Sequence, residues 1–373
     1  FARSWPQFHS DSQHRGYSNC HAPVSNKTFW ISGDIGAQPG SSVSVADGAV
    51  YVNCVDNLTC LDMDFGKVLW RYPFPAAGDF AFGFTPVYSN GRVFFTSDRT
   101  YCLNASDGSE LWSFVQSTGK PAIDASPAIA EGRVLVSDWD GHHYYCLDEE
   151  TGEELWNFTV LGNAQSTAAI DGNRAVFAGW QWGLGGTIYC VNLQNGSLIW
   201  NISTDNSPCG SAAISNATVF ISTYSFNGDG DILALSLEDG SILWKAQVSP
   251  TDSTPAVVDG RVYLSGGCEG FSALHTYCFD ALNGTLYWMT SKDPGIGDWR
   301  CSPAFSEGIL FAGSPKFTEY AGLYALNSQT GEVIWSYPQA GSSPALADGI
   351  LFSIGGGRVY AFGDDQSIRG NKN

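Results

Sequence analysis

Tryptophan recurs along this chain at a nearly constant interval, and this repeat limits the possible folds more than any other feature. Eight of the 13 tryptophans are spaced by 40, 42, 44, 44, 44, 44 and 47 residues: Trp30, Trp70, Trp112, Trp156, Trp200, Trp244, Trp288 and Trp335. From Trp70 onward, a glycine stands four residues before each Trp and a Cys or Ala stands ten residues before it. Self-similarity at a fixed period of this length indicates a repeat architecture.

Each repeat predicts four short β-strands. Residues 126–136 read SPAIAEGRVLV, in which two β-rich runs flank a glycine turn, as in a hairpin. The stretch from the Cys or Ala to the Trp supplies a second hairpin with its own glycine turn. A four-stranded antiparallel unit cannot bury both faces alone, so the copies must pack side by side. The sequence therefore predicts an all-β fold, a β-propeller of four-stranded blades.

The number of blades is predicted to be eight. Seven complete blades end at the tryptophans from Trp70 to Trp335, and three further strands follow between residues 343 and 362. The strand around Trp30 has no preceding hairpin, so it is expected to join those three and close the ring without a long unpaired edge. We therefore expect an N-terminal tail (1–26), one propeller (27–363) and a C-terminal tail (364–373). The N-terminal tail is expected either to fold back across its own ring or to reach a neighbouring subunit.

The repeat resembles a known motif. The pattern Ala325-x-Asn327-x-x-Thr330-Gly331-x-x-x-Trp335 is similar to the tryptophan docking motif of pyrroloquinoline quinone (PQQ) repeat propellers, and the resemblance covers residues 27–363. It implies that each Trp ring stacks near the glycine of the neighbouring blade. The small first residue makes room for a large ring in a close-packed layer.

This family includes calcium- and quinone-dependent alcohol and sugar dehydrogenases. A quinone with three carboxylates needs clustered cations or calcium beside it. Here the basic residues are scattered, and the sequence has neither an adjacent Cys-Cys pair nor a Cys-x-x-Cys-His haem motif. The chain is therefore similar to the non-enzymatic, scaffold-like branch of the family, and no cofactor is predicted. A dehydrogenase that uses PQQ and calcium is the alternative.

Two features favour a location outside the cytoplasm. Ten cysteines, an even number, are typical of a disulfide-bonded protein. The chain also carries eight Asn-X-Ser/Thr sequons, which are candidate glycosylation sites. They begin at Asn26, Asn57, Asn104, Asn157, Asn195, Asn201, Asn216 and Asn283. Four of them, at positions 104, 195, 216 and 283, map to the face of the ring that carries the tight glycine turns of the two hairpins in each repeat.

Charge and hydropathy argue against a nucleic-acid-binding or membrane-spanning protein. The net charge of −19 opposes binding to nucleic acid or to an anionic membrane surface. No apolar run approaches the roughly 20 residues that span a bilayer. No basic-then-apolar signal opens the chain. We expect a mature extracellular or cell-surface protein whose signal peptide has been removed.

Five cysteines occupy the small-residue position of the docking motif. Equivalent positions in neighbouring blades are expected to be too far apart to bond, because a disulfide needs Cα atoms within about 7 Å. Motif cysteines are therefore expected either to pair with cysteines outside the motif or to stay free as small buried apolar side chains. For pairing, hairpin geometry predicts two disulfides, Cys54 with Cys60 and Cys268 with Cys278. The other pairings stay open.

The loops opposite the tight turns vary in length and carry aromatic residues. Variable loops on a rigid scaffold are common recognition sites. The candidate binding residues are Trp180, Trp182, Tyr224, Phe226, Phe271, Trp299, Phe317 and Tyr320. These rings are expected either to bind a partner or to pack down and plug the central funnel. Asp229 and Asp231 alternate in one loop as weak candidates for calcium ligands, with a polar hairpin as the alternative.

Taken together, the sequence predicts a structural, adhesive or protein-interaction module. Its loop face would bind protein or glycan, and the molecule could assemble with copies of itself into an oligomer or filament. The alternatives are the quinone-dependent dehydrogenase and a glycan-binding propeller.

Overall fold

A computed structural model describes residues 4–75, 84–120, 125–225, 228–268, 270–293, 295–314 and 322–364. These residues contain 32 β-strands, which form eight four-stranded antiparallel sheets. The innermost strands of successive sheets contact one another all the way round, from β2 through β30 and back to β2. The predicted eight-bladed propeller is confirmed. None of the described residues belongs to a helix that could span a bilayer.

The strands of each complete blade are named A to D from the axis outward. Blade 1 contains β2 (Ser44–Ala46), β3 (Ala49–Asn53), β4 (Asn57–Asp62) and β5 (Val68–Pro73). Blade 2 contains β6 (Val87–Ser89), β7 (Arg92–Thr96), β8 (Thr100–Asn104) and β9 (Glu110–Phe114). Blade 3 contains β10 (Ala128–Ala130), β11 (Arg133–Ser137), β12 (His143–Asp148) and β13 (Glu154–Thr159). Blade 4 contains β14 (Ala169–Asp171), β15 (Arg174–Gln181), β16 (Gly185–Asn192) and β17 (Leu198–Thr204).

The second half of the ring repeats this order. Blade 5 contains β18 (Ala213–Ser215), β19 (Thr218–Tyr224), β20 (Gly230–Ser236) and β21 (Ile242–Val248). Blade 6 contains β22 (Ala256–Val258), β23 (Arg261–Gly266), β24 (His275–Asp280) and β25 (Leu286–Met289). Blade 7 contains β26 (Ala304–Ser306), β27 (Ile309–Ser314), β28 (Gly322–Asn327) and β29 (Val333–Tyr337). Blade 8 contains β30 (Ala345–Ala347), β31 (Ile350–Gly355), β32 (Arg358–Phe362) and, as its outer strand, β1 (Thr28–Ile31).

The two ends of the chain close the ring in blade 8. Strand β1 pairs antiparallel with β32, with Thr28 opposite Phe362 and Ile31 opposite Tyr360. Blade 8 therefore has four strands like the others, and its outer strand comes from the opposite end of the chain. A ring of paired sheets leaves no long edge for aggregation at the seam.

The docking motif sets the contact between neighbouring blades. A Cβ added to Gly152 would lie 2.6 Å from the ring of Trp112 in the preceding blade, so the close stacking requires glycine. The backbone of Gly152 also has a φ of +73°, which favours glycine. The indole N–H of Trp112 donates to the carbonyl of Glu149 at 3.3 Å. Within each blade the small residue faces the Trp across strands C and D, as Cys146 faces Trp156.

The predicted disulfide between Cys54 and Cys60 is wrong, since all ten cysteines are thiols. Cys60 lies inside β4, opposite Tyr51 on one side and Trp70 on the other. Cys54 precedes that strand, and its Sγ lies 3.5 Å from Thr59 Oγ1. The two thiols thus occupy separate surroundings although their positions are close in sequence.

The predicted disulfide between Cys268 and Cys278 is wrong for the same reason. Cys278 is fully buried between Tyr263 and Trp288, whereas Cys268 belongs to the loop before β24. Cysteines of the motif position act as small apolar side chains. Burial raises the pKa of Cys146 to about 12, so this thiol stays protonated. The cysteines therefore do not by themselves support an oxidising compartment.

Candidate functional site

The two faces of the ring differ in their connections. Turns between strands A and B and between C and D lie on one face and are short. Connections from B to C and from D of one blade to A of the next lie on the other face, here called the loop face. This division matches the one expected from the sequence.

The sequons lie mostly on exposed positions. Asn195 and Asn283 are in C-to-D turns, Asn104 ends strand β8 just before such a turn, and Asn216 is in an A-to-B turn, all opposite the loop face. Most of the eight asparagines are exposed, and two are half-buried, at positions 57 and 104. The exposed ones include Asn26, Asn157 and Asn201. In Asn57 the side-chain amide donates to Asp56 at 2.7 Å. Glycosylation of these sites stays a prediction.

The N-terminal segment of residues 4–23 is here called the strap. Its residues 5–16 lie inside the channel, and its end runs outward past the A-to-B turn of blade 7. Innermost strands present unpaired N–H groups towards the axis, and an edge of this kind needs a partner. The strap supplies acceptors to seven of the eight blades, at distances from 2.6 to 3.0 Å. The donor and acceptor pairs are Val45 to Trp5, Tyr88 to Pro6, Ile129 to the side chain of Gln7, Ile170 to Ser12, Ile214 to Gln13, Val257 to Arg15 and Phe305 to Gly16. The strap therefore follows the inside of the ring blade by blade.

Two buried histidines hold the strap in place. His9 Nδ1 lies 2.7 Å from the carbonyl of His14, and its Nε2 lies 2.7 Å from the carbonyl of Pro303. His14 Nδ1 lies 3.0 Å from the carbonyl of Ala212. Burial lowers the pKa of both imidazoles, in His14 to about 4. The strap is thus packed as part of the protein core.

A belt of eight hydroxyl groups surrounds the axis above the strap. Each belt residue stands two positions before an innermost strand, and all eight are buried. The belt residues are Ser42, Thr85, Ser126, Thr167, Ser211, Thr254, Ser302 and Ser343. At six places the main-chain N–H of one belt residue donates to the hydroxyl of the next, at 2.9 to 3.2 Å. These bonds join neighbouring blades around the channel.

A funnel opens from the belt to the loop face. Its cavity has a volume of about 90 Å³, and Phe8 of the strap lines it together with the belt. Trp299 and Arg300 form part of the wall, with the guanidinium 4.2 Å from the centroid of the Trp299 ring. Among the described residues that line the cavity, Arg300 carries the only cationic side chain and Asp252 the only carboxylate.

The candidate aromatic residues separate into two groups. Trp299 lies in the funnel wall, and Tyr224 packs against it with the ring centroids 5.8 Å apart. Burial is the main cause that raises the pKa of Tyr224 to about 12. Trp180 is 4% exposed, and its indole donates to Gln165, which also lines the funnel.

The second group lies at the rim and points to solvent. Trp182 is 72% exposed and Phe271 is 85% exposed. The first group packs into or against the funnel wall, which is one of the two alternatives expected from the sequence; partner binding by the exposed group stays a prediction. The candidates Phe226, Phe317 and Tyr320 lie outside the described residues.

The two calcium candidates have protein partners. Asp231 forms an ion pair with Lys245 at 2.9 Å and accepts a hydrogen bond from Asn206 at 2.8 Å. Asp229 accepts a hydrogen bond from Gln247 at 3.2 Å. Across the described part of the chain, no three His, Cys, Asp or Glu side chains form a group that could hold a metal ion. Calcium binding by Asp229 and Asp231 stays a prediction.

Sequence reasoning missed the belt and the path of the strap. The belt has a sequence signal, because a Ser or Thr stands two residues before each innermost strand, often followed by Pro-Ala as in Ser126-Pro127-Ala128. The strap has no periodic signal, because it occurs once in the chain and its hydrogen-bond partners come from seven different blades.

Known proteins share this chain's repeat and fold. The family model described as outer membrane protein assembly factor BamB matches residues 19–127, 78–228, 184–294 and 274–370, nearly the whole chain. The chain belongs to this family of PQQ-repeat propellers. The BamB of Yersinia pestis is 31% identical over 101 residues, which make up 26% of this chain and 24% of that protein. The alignment thus spans about a quarter of the relative's length.

Solved structures share the fold. BamB from Moraxella catarrhalis has a TM-score of 0.69 at 13% identity, covering 91% of this chain and 98% of that one. Quinohemoprotein alcohol dehydrogenase from Comamonas testosteroni has a TM-score of 0.78 at 14% identity, covering 98% of this chain and 81% of that one. At such identities the likeness concerns the fold alone. The function must be argued from this chain's own surfaces.

Proposed function

We propose that this chain works outside the cytoplasm as a non-catalytic propeller that binds other proteins through its loop face. The family description, an outer membrane protein assembly factor, supports a role in bringing proteins together. It also supports an extracytoplasmic location, as do the exposed sequons. The cysteines give this location no support, because they form no disulfide.

The observation that carries the non-catalytic role is the closure of the axis by the strap. Phe8 limits the funnel to a cavity of about 90 Å³, whereas sites for cofactor-sized ligands are usually about 300–1,000 Å³. The described lining is mostly hydroxyl groups, with one guanidinium and one carboxylate. A quinone with three carboxylates requires more cations than this lining offers. The described funnel therefore does not fit PQQ and calcium.

Exposed apolar side chains at the rim support protein binding. Leu161, Trp182, Leu184 and Phe271 all belong to connections of the loop face, and they are 56%, 72%, 76% and 85% exposed. Large exposed apolar groups on rigid loops are typical of interaction surfaces.

Reconstitution tests the non-catalytic part of this proposal. The purified chain is mixed with PQQ and calcium, separated from unbound quinone, and assayed for alcohol-dependent dye reduction. We expect no retained quinone absorbance and no activity, with a quinohemoprotein dehydrogenase as the positive control. Stoichiometric quinone binding with dehydrogenase activity would overturn the proposal in favour of the enzyme.

A further inference from the structure

Three exposed apolar side chains lie in two connections on the loop face of blade 4, and together they are here called the blade-4 knob: Leu161, Trp182 and Leu184. They are 56%, 72% and 76% exposed. Trp182 and Leu184 stand at the tip of the hairpin between β15 and β16, and Leu161 lies in the connection that enters blade 4. An aromatic anchor with aliphatic neighbours is typical of an interface hot spot.

The knob hairpin projects from the loop face because its strands are long. β15 and β16 have eight residues each, whereas β11 of the preceding blade has five. The two strands pair continuously from Arg174 opposite Asn192 to Gln181 opposite Gly185. Leu184 N–H donates to the carbonyl of Gln181 at 3.1 Å and closes the tip. A short, fully paired hairpin presents its tip in a fixed orientation, which lowers the entropy lost on binding.

Main-chain hydrogen bonds and a ring contact join the two connections that carry the knob. Buried Trp180 lies beneath Trp182, with their ring centroids 6.0 Å apart. The segment that carries Leu161 exchanges main-chain hydrogen bonds with Trp180 through Asn163, at 2.7 and 3.2 Å. The Leu161 N–H also donates a hydrogen bond to Tyr189 Oη at 3.0 Å. The main chain around Leu161 and the base of the hairpin therefore form one hydrogen-bonded unit.

Acidic side chains flank the knob. The main chain of Asp205 lies against Gly185, within 3.0 Å of a Cβ added there. Asp140 follows Trp139, which pairs with Ala164 in the segment after Leu161. Both aspartates are exposed, and the chain as a whole has a net charge of −19. An anionic lipid surface would be repelled, whereas a basic protein surface would be attracted.

We propose that the blade-4 knob inserts into an apolar pocket of a folded protein partner whose pocket rim carries Lys or Arg side chains. This inference rests on the proposed function and names the part of the loop face that performs it. The apolar tip supplies the buried contact, and Asp140 and Asp205 orient the encounter by charge.

Site-specific crosslinking tests the location. Full-length protein with benzoylphenylalanine in place of Trp182, Phe271 or Leu282 is produced in its native cells and irradiated. Leu282 is the control, because it is 86% exposed on a C-to-D turn of the opposite face. We expect a discrete protein adduct at position 182 that is absent at position 282. Adducts at 271 without any at 182 would overturn the knob and leave the proposed function standing. No protein adduct at 182 or 271 would count against both.

Affinity measurements with the purified crosslinked partner test the chemistry. We expect Trp182→Ala with Leu184→Ala to weaken the Kd at least about 30-fold, and Leu282→Ala to leave it unchanged. Raising salt should weaken the wild-type complex, and Asp140→Asn with Asp205→Asn should reduce that salt dependence. An unchanged Kd in the double alanine variant, or affinity that does not respond to salt, would overturn the inference. So would knob-dependent binding to phosphatidylcholine vesicles, because the occupant would then be lipid.

Discussion

The indole N–H of Trp335 donates to the main-chain carbonyl of Pro23 at 3.1 Å, across 312 residues of sequence. The other seven docking tryptophans donate to a carbonyl 33 to 40 residues further along, near the C-to-D turn of the next blade. Blade 8 has no such turn, because its strands C and D come from opposite ends of the chain. The end of the strap supplies the missing carbonyl, so the eighth interface uses the same bond as the others.

Removal of the Asp364 carboxylate is expected to loosen this seam. Asp364 accepts hydrogen bonds from Val24 N–H at 2.9 Å, from Ser25 N–H at 3.2 Å and from Ser25 Oγ at 3.0 Å. Bonds to a charged acceptor contribute about 1.5–3 kcal/mol. In Asp364→Ala, hydrogen exchange of the Val24 and Ser25 amides should accelerate at least about tenfold. Glu150→Ala, which removes one exposed contact at 3.5 Å, should leave those amides unchanged; equal effects would contradict the seam's role.

Two glycines of blade 3 allow the cost of backbone strain to be measured apart from the cost of disturbing the Trp stacking. Gly132 and Gly152 have φ values of +70° and +73°, but only Gly152 lies against a Trp ring. Gly132→Ala should cost about 1–2 kcal/mol through backbone strain alone. Gly152→Ala should cost about 1–3 kcal/mol more, because its Cβ meets Trp112. Chemical denaturation measures both, and similar midpoints for the two variants would argue against tight docking.

Two threonines of the belt differ in whether their hydroxyl group accepts a hydrogen bond. Thr167 Oγ1 accepts the Ser126 N–H at 3.0 Å, whereas Thr254 Oγ1 is buried without a hydrogen-bond partner in the described part of the chain. Thr167→Val should lower the free energy of unfolding by about 1–3 kcal/mol, because a buried N–H loses its acceptor. Thr254→Val should be neutral or stabilising. Thermal or urea unfolding of the pair is the measurement, and a larger loss at position 254 would show that the belt bonds do not stabilise the ring.

Stability is expected to fall as the pH decreases from about 6.5 to about 4. The pKa of His14 is lowered to about 4 by burial, so the folded state keeps this imidazole neutral while the unfolded state takes up a proton. The loss from His14 alone is at most about 3 kcal/mol. His14→Gln retains an N–H for the Ala212 carbonyl and should flatten the pH dependence, measured by denaturation at several pH values. His142→Gln at an exposed site is the control, and an unchanged slope in His14→Gln would contradict this assignment.

The propeller was predictable because its signals are local and repeated. Gly152, Trp156 and Cys146 recur in register from blade to blade, and each position has a steric reason that the sequence displays. The disulfides were predicted wrongly because closeness in sequence says little about facing direction in a sheet. Cys60 faces Tyr51 and Trp70 across the strands, and Cys54 is not its partner.

The candidate site was predictable only in part. The loops were correctly assigned to one face, but Trp180 is buried and Trp182 is exposed although only one residue separates them. Position in a hairpin decides this difference, since Trp180 belongs to β15 and Trp182 to the tip. The strap could not be predicted, because its acceptors pair with residues as distant as Phe305, and no local pattern encodes such contacts.

Ring closure by β1 and β32 reverses the usual order of folding during synthesis. Blades 1 to 7 are each built from consecutive strands, so each can form soon after it leaves the ribosome. Strand β1 and the strap emerge before all of them, yet their partners are complete only when the last strand has been made. The segment made before all eight blades is therefore the last to reach its native contacts, and a nascent chain lacking β32 leaves β1 unpaired.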